Sequence, residues 1–149
     1  MAKKNQSIIF DWKGTLADRN GKLFLHSKKV VEELGRRFKI GLISLARDGM
    51  MQRYDEIVRS GIAHYTDVLM VVKEKSQGIF MECMESMRAS PEITHVVDDR
   101  AVRGIKVGND LGCTTYWIMQ GLYSNQLPNE DTGEPDYRIK SVRDLLTLI

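Results

Sequence analysis

Two aspartates, Asp98 and Asp99, stand side by side at the end of an apolar run, and a third, Asp11, follows another such run far upstream. Between them in sequence come Ser44, at the end of a third run, and Lys73 and Lys75, just past a fourth. Carboxylates are what a hard divalent cation such as Mg²⁺ prefers, with water and phosphate oxygens completing its shell. A hydroxyl and an ammonium are donors suited to phosphoryl oxygens. Phosphoryl transfer asks a protein mainly for positioning and charge neutralisation. The set could therefore supply a nucleophile, anionic oxygens for a cation and two phosphoryl donors, provided the fold gathers them.

The elements that must gather them are legible. Short aliphatic or β-branched runs at 7–10, 40–43, 68–72, 94–97 and 114–118 do not alternate with polar residues, as strands buried on both faces should not. Amphipathic stretches lie between them. Val30, Val31, Leu34 and Phe38 share one helical face behind Ser27 as a candidate N-cap. Met51, Tyr54, Ile57 and Val58 form the next stripe, and Ile79, Phe80, Cys83, Met84 and Met87 a third. A fourth runs from Ala101 to Leu111 and closes at Gly112, and Ser141 can cap a last short helix. Strand and helix in alternation predict a parallel sheet covered on both sides by right-handed crossovers, a three-layer α/β/α domain. Ligands of such sheets sit at the carboxyl ends of the strands, where all the residues named above fall. Residues 120–138, with Pro128, Gly133 and Pro135, read as a surface loop, with a flap over the site as the alternative.

With 149 residues, the chain suits one domain over 1–149. The formal charge of +2, spread among acids, gives no footprint for nucleic acid. The polar start, including Lys3 and Lys4, is not a signal peptide, and no apolar stretch reaches the ~18 residues of a membrane span. A cytoplasmic protein is expected. Cys83 and Cys113 are too far apart in sequence for a metal or redox motif, and His26, His64 and His95 are isolated.

The ordered set resembles the haloacid dehalogenase-like superfamily over nearly the whole chain. Ile8-Ile9-Phe10-Asp11-Trp12-Lys13-Gly14-Thr15-Leu16 looks like its first motif, and Ile43-Ser44 like its second. Lys73-Glu74-Lys75 is similar to the third, and Val96-Val97-Asp98-Asp99-Arg100 to the fourth. The resemblance implies five parallel strands in the order 5-4-1-2-3 and a Mg²⁺ cofactor. Asp11 would be a nucleophile that becomes an aspartyl phosphate. Asp11, the Lys13 backbone carbonyl and Asp99 would bind the metal, with Asp98 as a further ligand or a hydrogen-bonding support. Ser44 and a lysine would hold the phosphoryl oxygens, Lys75 being preferred to Lys73 because Ser76 can cap the helix behind it. Gly14 permits the tight turn after the nucleophile, and Trp12 is a candidate to stack on a substrate. The implied substrate is a small phosphorylated molecule or a phosphoprotein. The intervals 16–39 and 47–67 leave no room for a cap domain, and capless relatives often gain a lid as homo-oligomers.

One position departs from the pattern. Phosphatases of the superfamily carry a second aspartate two residues after the nucleophile, to protonate the leaving oxygen and then activate water. Here that residue is Lys13. A lysine, with an ordinary value near ~10.4, is a poor base at neutral pH. Three readings follow: an enzyme restricted to good leaving groups, an enzyme of redirected chemistry, or an inactive binding or scaffold protein in which Lys13 and Asp11 form a structural ion pair.

Overall fold

The computed structural model describes residues 5–149; the polar start with Lys3 and Lys4 lies outside them. Six parallel strands form one sheet: β1 Ser7–Phe10, β2 Lys39–Leu45, β3 Val68–Val72, β4 Thr94–Asp98, β5 Thr114–Ile118 and β6 Tyr137–Ile139. Their order is β3-β2-β1-β4-β5-β6, the expected five-strand order extended by one strand. The extra strand comes from the end of the stretch read as a loop. Only three residues long, at the sheet edge, with Tyr137 and Arg138 exposed, β6 offers no buried run for periodicity to detect.

The side chains of β1 divide between the two faces of the sheet. Ile8 and Phe10 join Val30, Val31 and Leu34 of helix α1 (Ser27–Leu34), Ile57 of α2 (Met50–Ser60) and Leu145 of α5 (Leu145–Leu148). Ile9 turns the other way, to Phe80, Cys83 and Met84 of α3 (Gln77–Ser86) and Val107 of α4 (Lys106–Leu111). That is the three-layer arrangement, and each wholly buried aliphatic or aromatic side chain contributes about 1.5–3 kcal/mol.

Two helix readings need correction. Ser27 does not cap α1; its buried hydroxyl donates to the Leu16 carbonyl at 2.7 Å and ties the first loop to the helix. The stripe on α2 reaches the core only through Ile57, while Met51, Tyr54 and Val58 are exposed. The reason is position: α2 packs against β3, the edge strand, with no further strand beyond it to cover those side chains. Ser76 does cap α3, accepting from the Ile79 amide, and Ser141 forms a capping box with Asp144. No helix among the described residues is long and apolar enough to cross a membrane.

Neither interval where a cap could be inserted holds a domain. After β1 the chain winds into a tight turn in which the Trp12 carbonyl accepts from the amides of Thr15, Leu16 and Ala17. Between β2 and β3 lie only α2 and a 3-10 turn, Ile62–Tyr65.

Candidate active site

The central strand places the first carboxylate. Phe10 pairs with Leu42 on one side and Val97 on the other, so Asp11 leaves the sheet between the ends of β2 and β4. Its amide donates to the Val97 carbonyl at 3.0 Å, which sets it beside Asp98 and Asp99. Carboxylate oxygens of Asp11, Asp98 and Asp99 come within 4.8 Å of one another. The Lys75 ammonium joins two of them, 2.7 Å from Asp11 Oδ1 and 2.9 Å from Asp98 Oδ2. Thr15 Oγ1 donates to Asp11 Oδ2 at 3.3 Å.

Two glycines make this crowding possible. Gly14 has φ +86°, and a Cβ there would lie 2.0 Å from Asp99 Oδ2. A Cβ on Gly104 would lie 2.2 Å from Asp98 Oδ2, which accepts instead from the Gly104 amide at 3.2 Å. Asp98 Oδ1 accepts from the Arg100 amide, and Trp117 Nε1 donates to the Asp99 carbonyl. Both acids are thus held by backbone and by the neighbouring strand before any ligand arrives.

Their electrostatics follow from burial. Asp98 and Asp99 are almost wholly buried, and loss of water raises both, with the charge of Asp11 adding to it. Asp99 is pushed up to about 10, Asp98 also repelling it. For Lys75 burial acts downward, but the charges of Asp11 and Asp98 outweigh it and hold the ammonium above its ordinary value. Such a cluster of like charges is what a divalent cation relieves. The donor set is all oxygen, which fits a hard ion such as Mg²⁺, and the Lys13 carbonyl accepts no hydrogen bond among the described residues.

A cavity of about 160 Å³ opens over the cluster, walled by Ser44, Lys13, Arg53, Lys75, Arg100, Arg103 and Tyr123 along with the three acids. Ser44 is buried and its Oγ accepts from Arg53 Nη1 at 2.9 Å. Lys73, the competing lysine, is exposed and does not line this cavity. Lys13 lines the cavity without an ion pair to Asp11; Lys75 takes that place. Trp12 does not face a substrate. It is 0% exposed, and its indole N–H donates to Glu56 Oε2 at 2.8 Å, because the turn after Asp11 directs its side chain inward against α2. Gly14 lines a neighbouring recess of about 410 Å³ with Lys13, Phe24, Leu122 and Tyr123.

Sequence reasoning met Arg100 only as a position in the fourth motif and missed Arg53, Arg103 and Tyr123 as cavity residues. Arg100 and Arg103 are three apart at the start of a helical run, a spacing that could have put both on one face. Arg53 and Tyr123 carried no signal. Part of the presumed surface loop closes the site: Tyr123 lies under the Arg100 guanidinium at 4.4 Å, and Gln120 donates to the carbonyls of Gly14 and Thr15.

Strand order, the placement of acids after the first and fourth strands and the lysine reaching them define a protein of haloacid dehalogenase-like fold. No protein-family model matches the chain. It is 27% identical over 125 residues to a glyceraldehyde 3-phosphate phosphatase of Methanopyrus kandleri, covering 80% of this chain and 52% of that protein. The corresponding protein of Methanocaldococcus jannaschii is 28% identical over 131 residues, covering 83% and 55%. The chain thus spans about half the length of the curated relatives it matches. Among solved structures, a putative haloacid dehalogenase-like hydrolase from Burkholderia xenovorans superposes with TM-score 0.81 at 14% identity, covering 98% of this chain and 97% of that one. The putative hydrolase YfnB from Bacillus subtilis, bound to magnesium, gives TM-score 0.72 at 19% identity, covering 86% and 56%.

Proposed function

We propose that the chain is a Mg²⁺-dependent phosphohydrolase working through an aspartyl phosphate on Asp11, confined by Lys13 to substrates with good leaving groups. The observation that carries this reading is the buried triad Asp11, Asp98 and Asp99 bridged by Lys75 beneath a cation-walled cavity. Kinship at low identity with phosphatases supports it. Lys75 pairs with Asp11 and Asp98 only, and the buried Asp99 carboxylate has no cation among the described residues, which a divalent ion would supply.

Asp11 would attack phosphorus in line, its new O–P bond forming as the bond to the leaving oxygen breaks. Water would then attack the aspartyl phosphate, losing a proton to solvent and releasing inorganic phosphate and free Asp11. Lys75 has committed two of its three N–H donors, to Asp11 and Asp98, and the third is free for a phosphoryl oxygen. Arg53 occupies one lone pair of Ser44 Oγ, which leaves the hydroxyl proton to be given into the cavity. A divalent cation on Asp11, Asp99 and the Lys13 carbonyl, with Asp98 in support, would supply charge neutralisation to the phosphoryl oxygens. No carboxylic acid stands at position 13 to protonate the leaving oxygen, which is why acyl phosphates suit the site.

The inactive-scaffold reading expects Lys13 paired with Asp11, and that pair is not among the ion pairs of the described residues. The test is Mg²⁺-dependent phosphate release from acetyl phosphate, p-nitrophenyl phosphate and a sugar phosphate. The natural chain should turn over the first two and Asp11→Asn none. Equal release by both chains would remove Asp11 from the reaction.

A further inference from the structure

Three cations on the cavity wall have no carboxylate partner among the described residues: Lys13, Arg100 and Arg103. The other two are already engaged, Lys75 by Asp11 and Asp98 and Arg53 by Glu56. Arg100 is the more telling of the arginines. Its guanidinium lies 4.4 Å over the Tyr123 ring, a contact that fixes the plane of the group and leaves its edge free. Its Nε is buried with no hydrogen-bond partner. A buried donor left unpaired costs free energy, so a native one calls for an acceptor. Arg103 follows in the π turn Ala101–Ile105, whose Arg103 amide bonds the Arg100 carbonyl, and it lines the same cavity.

These arginines are not needed by the transferred phosphoryl group, whose donors are Ser44 and Lys75 on the opposite, β2–β3 side. Two planar guanidinium groups match a carboxylate, which accepts paired N–H donors. The cavity, about 160 Å³, has the volume of roughly five liquid waters at ~30 Å³ each, enough for a phosphoryl group and one more small polar group. Resting on the function proposed above, we infer that the substrate is a compact phosphorylated carboxylic acid, its carboxylate gripped by Arg100 and Arg103 with Lys13 beside them. This parts the chain from its relatives, since glyceraldehyde 3-phosphate carries no second anion.

Two non-hydrolysable ligands separate this inference from the hydrolase reading. Ethylphosphonate presents one anionic group and phosphonoacetate two, at similar size. Calorimetric titration of the natural chain with Mg²⁺ should show phosphonoacetate binding tighter by about tenfold or more, the scale of charge-assisted hydrogen bonds. Arg100→Gln and Arg103→Gln should each shrink that ratio to about threefold or less, and Arg103→Lys should keep part of it. Equal binding of both ligands by the natural chain, or of neither, overturns the inference. Loss of both ligands together in a variant with an unchanged melting temperature also overturns it, since the arginines would then hold the phosphoryl group itself. Preference for phosphonoacetate without phosphate release from acetyl phosphate or p-nitrophenyl phosphate would leave the carboxylate site standing and refute the hydrolase. Phosphate release without the preference would do the reverse.

Discussion

Lys13→Asp restores the residue type that phosphatases of this fold carry two positions after the nucleophile. The Lys13 side chain makes no ion pair among the described residues, and its turn is held by backbone bonds from Gly14 and Ala17, so the change breaks none of the ion pairs or backbone bonds that hold the described fold. General acid–base help is worth ~10²–10⁴ in rate, or ~2.7–5.4 kcal/mol. Against that stands the exchange of a positive for a negative charge beside Asp11 and Asp99, on the order of 2 kcal/mol at an effective dielectric near 20. The net expectation is a rise of roughly 3- to 300-fold in kcat/KM for a sugar phosphate, whose leaving alkoxide needs a proton. Acetyl phosphate, whose leaving carboxylate needs none, bears the charge cost alone and should fall by roughly 30-fold. The assay is Mg²⁺-dependent phosphate release on both substrates, with the melting temperature and Mg²⁺ affinity of the variant measured alongside. A folded, metal-binding variant that gains nothing on the sugar phosphate refutes the reasoning. So does an equal gain on both substrates, since that would trace the effect to charge rather than proton transfer.

Gly14→Ala should displace Asp99 and force a positive φ on alanine, costing about 1–3 kcal/mol. Thermal denaturation should show a melting temperature lower by roughly 2–10 °C, and Mg²⁺ titration a weaker affinity; an unchanged pair of values would contradict the geometry. In chelator, stability should fall as pH rises. Unfolded aspartates lose their protons near ~3.9, whereas folded Asp98 is raised and folded Asp99 keeps its proton up to about 10, so between those limits the folded state binds more protons. Melting temperature in EDTA should decline from pH 5 to 9 and do so much less with Mg²⁺, which takes the proton's place. Parallel curves with and without the ion would speak against a metal at the triad.

How much of this was legible depended on whether a residue's role was local. Asp11 closes a fully buried strand, Asp98 ends another and Asp99 follows it, so the run lengths alone put the acids at one end of the sheet. Ser76 named the helix start behind Lys75, and that cap is present. What stayed hidden depends on tertiary direction. Whether Trp12 points to solvent or core turns on Glu56, forty-four positions away, which no spacing rule connects to it. The α2 stripe was real as periodicity, but its partners were missing because its strand is the last one on that side. Tyr123 reaches the site from a stretch with no pattern, and β6 is too short and too exposed to carry one.

The hydrogen bonds from Trp12 to Glu56 at 2.8 Å, and from Arg53 to Ser44 at 2.9 Å, meet where Arg53 and Glu56 face each other at 3.4 Å. They make four scattered positions a single unit of inheritance. Exchange of Glu56 alone strands the indole N–H and removes the ion pair of Arg53, and exchange of Trp12 alone leaves a gap under α2. Descendants of this sequence should therefore replace these residues together or keep them together, so that drift on an outer helix is paced by the residue next to Asp11.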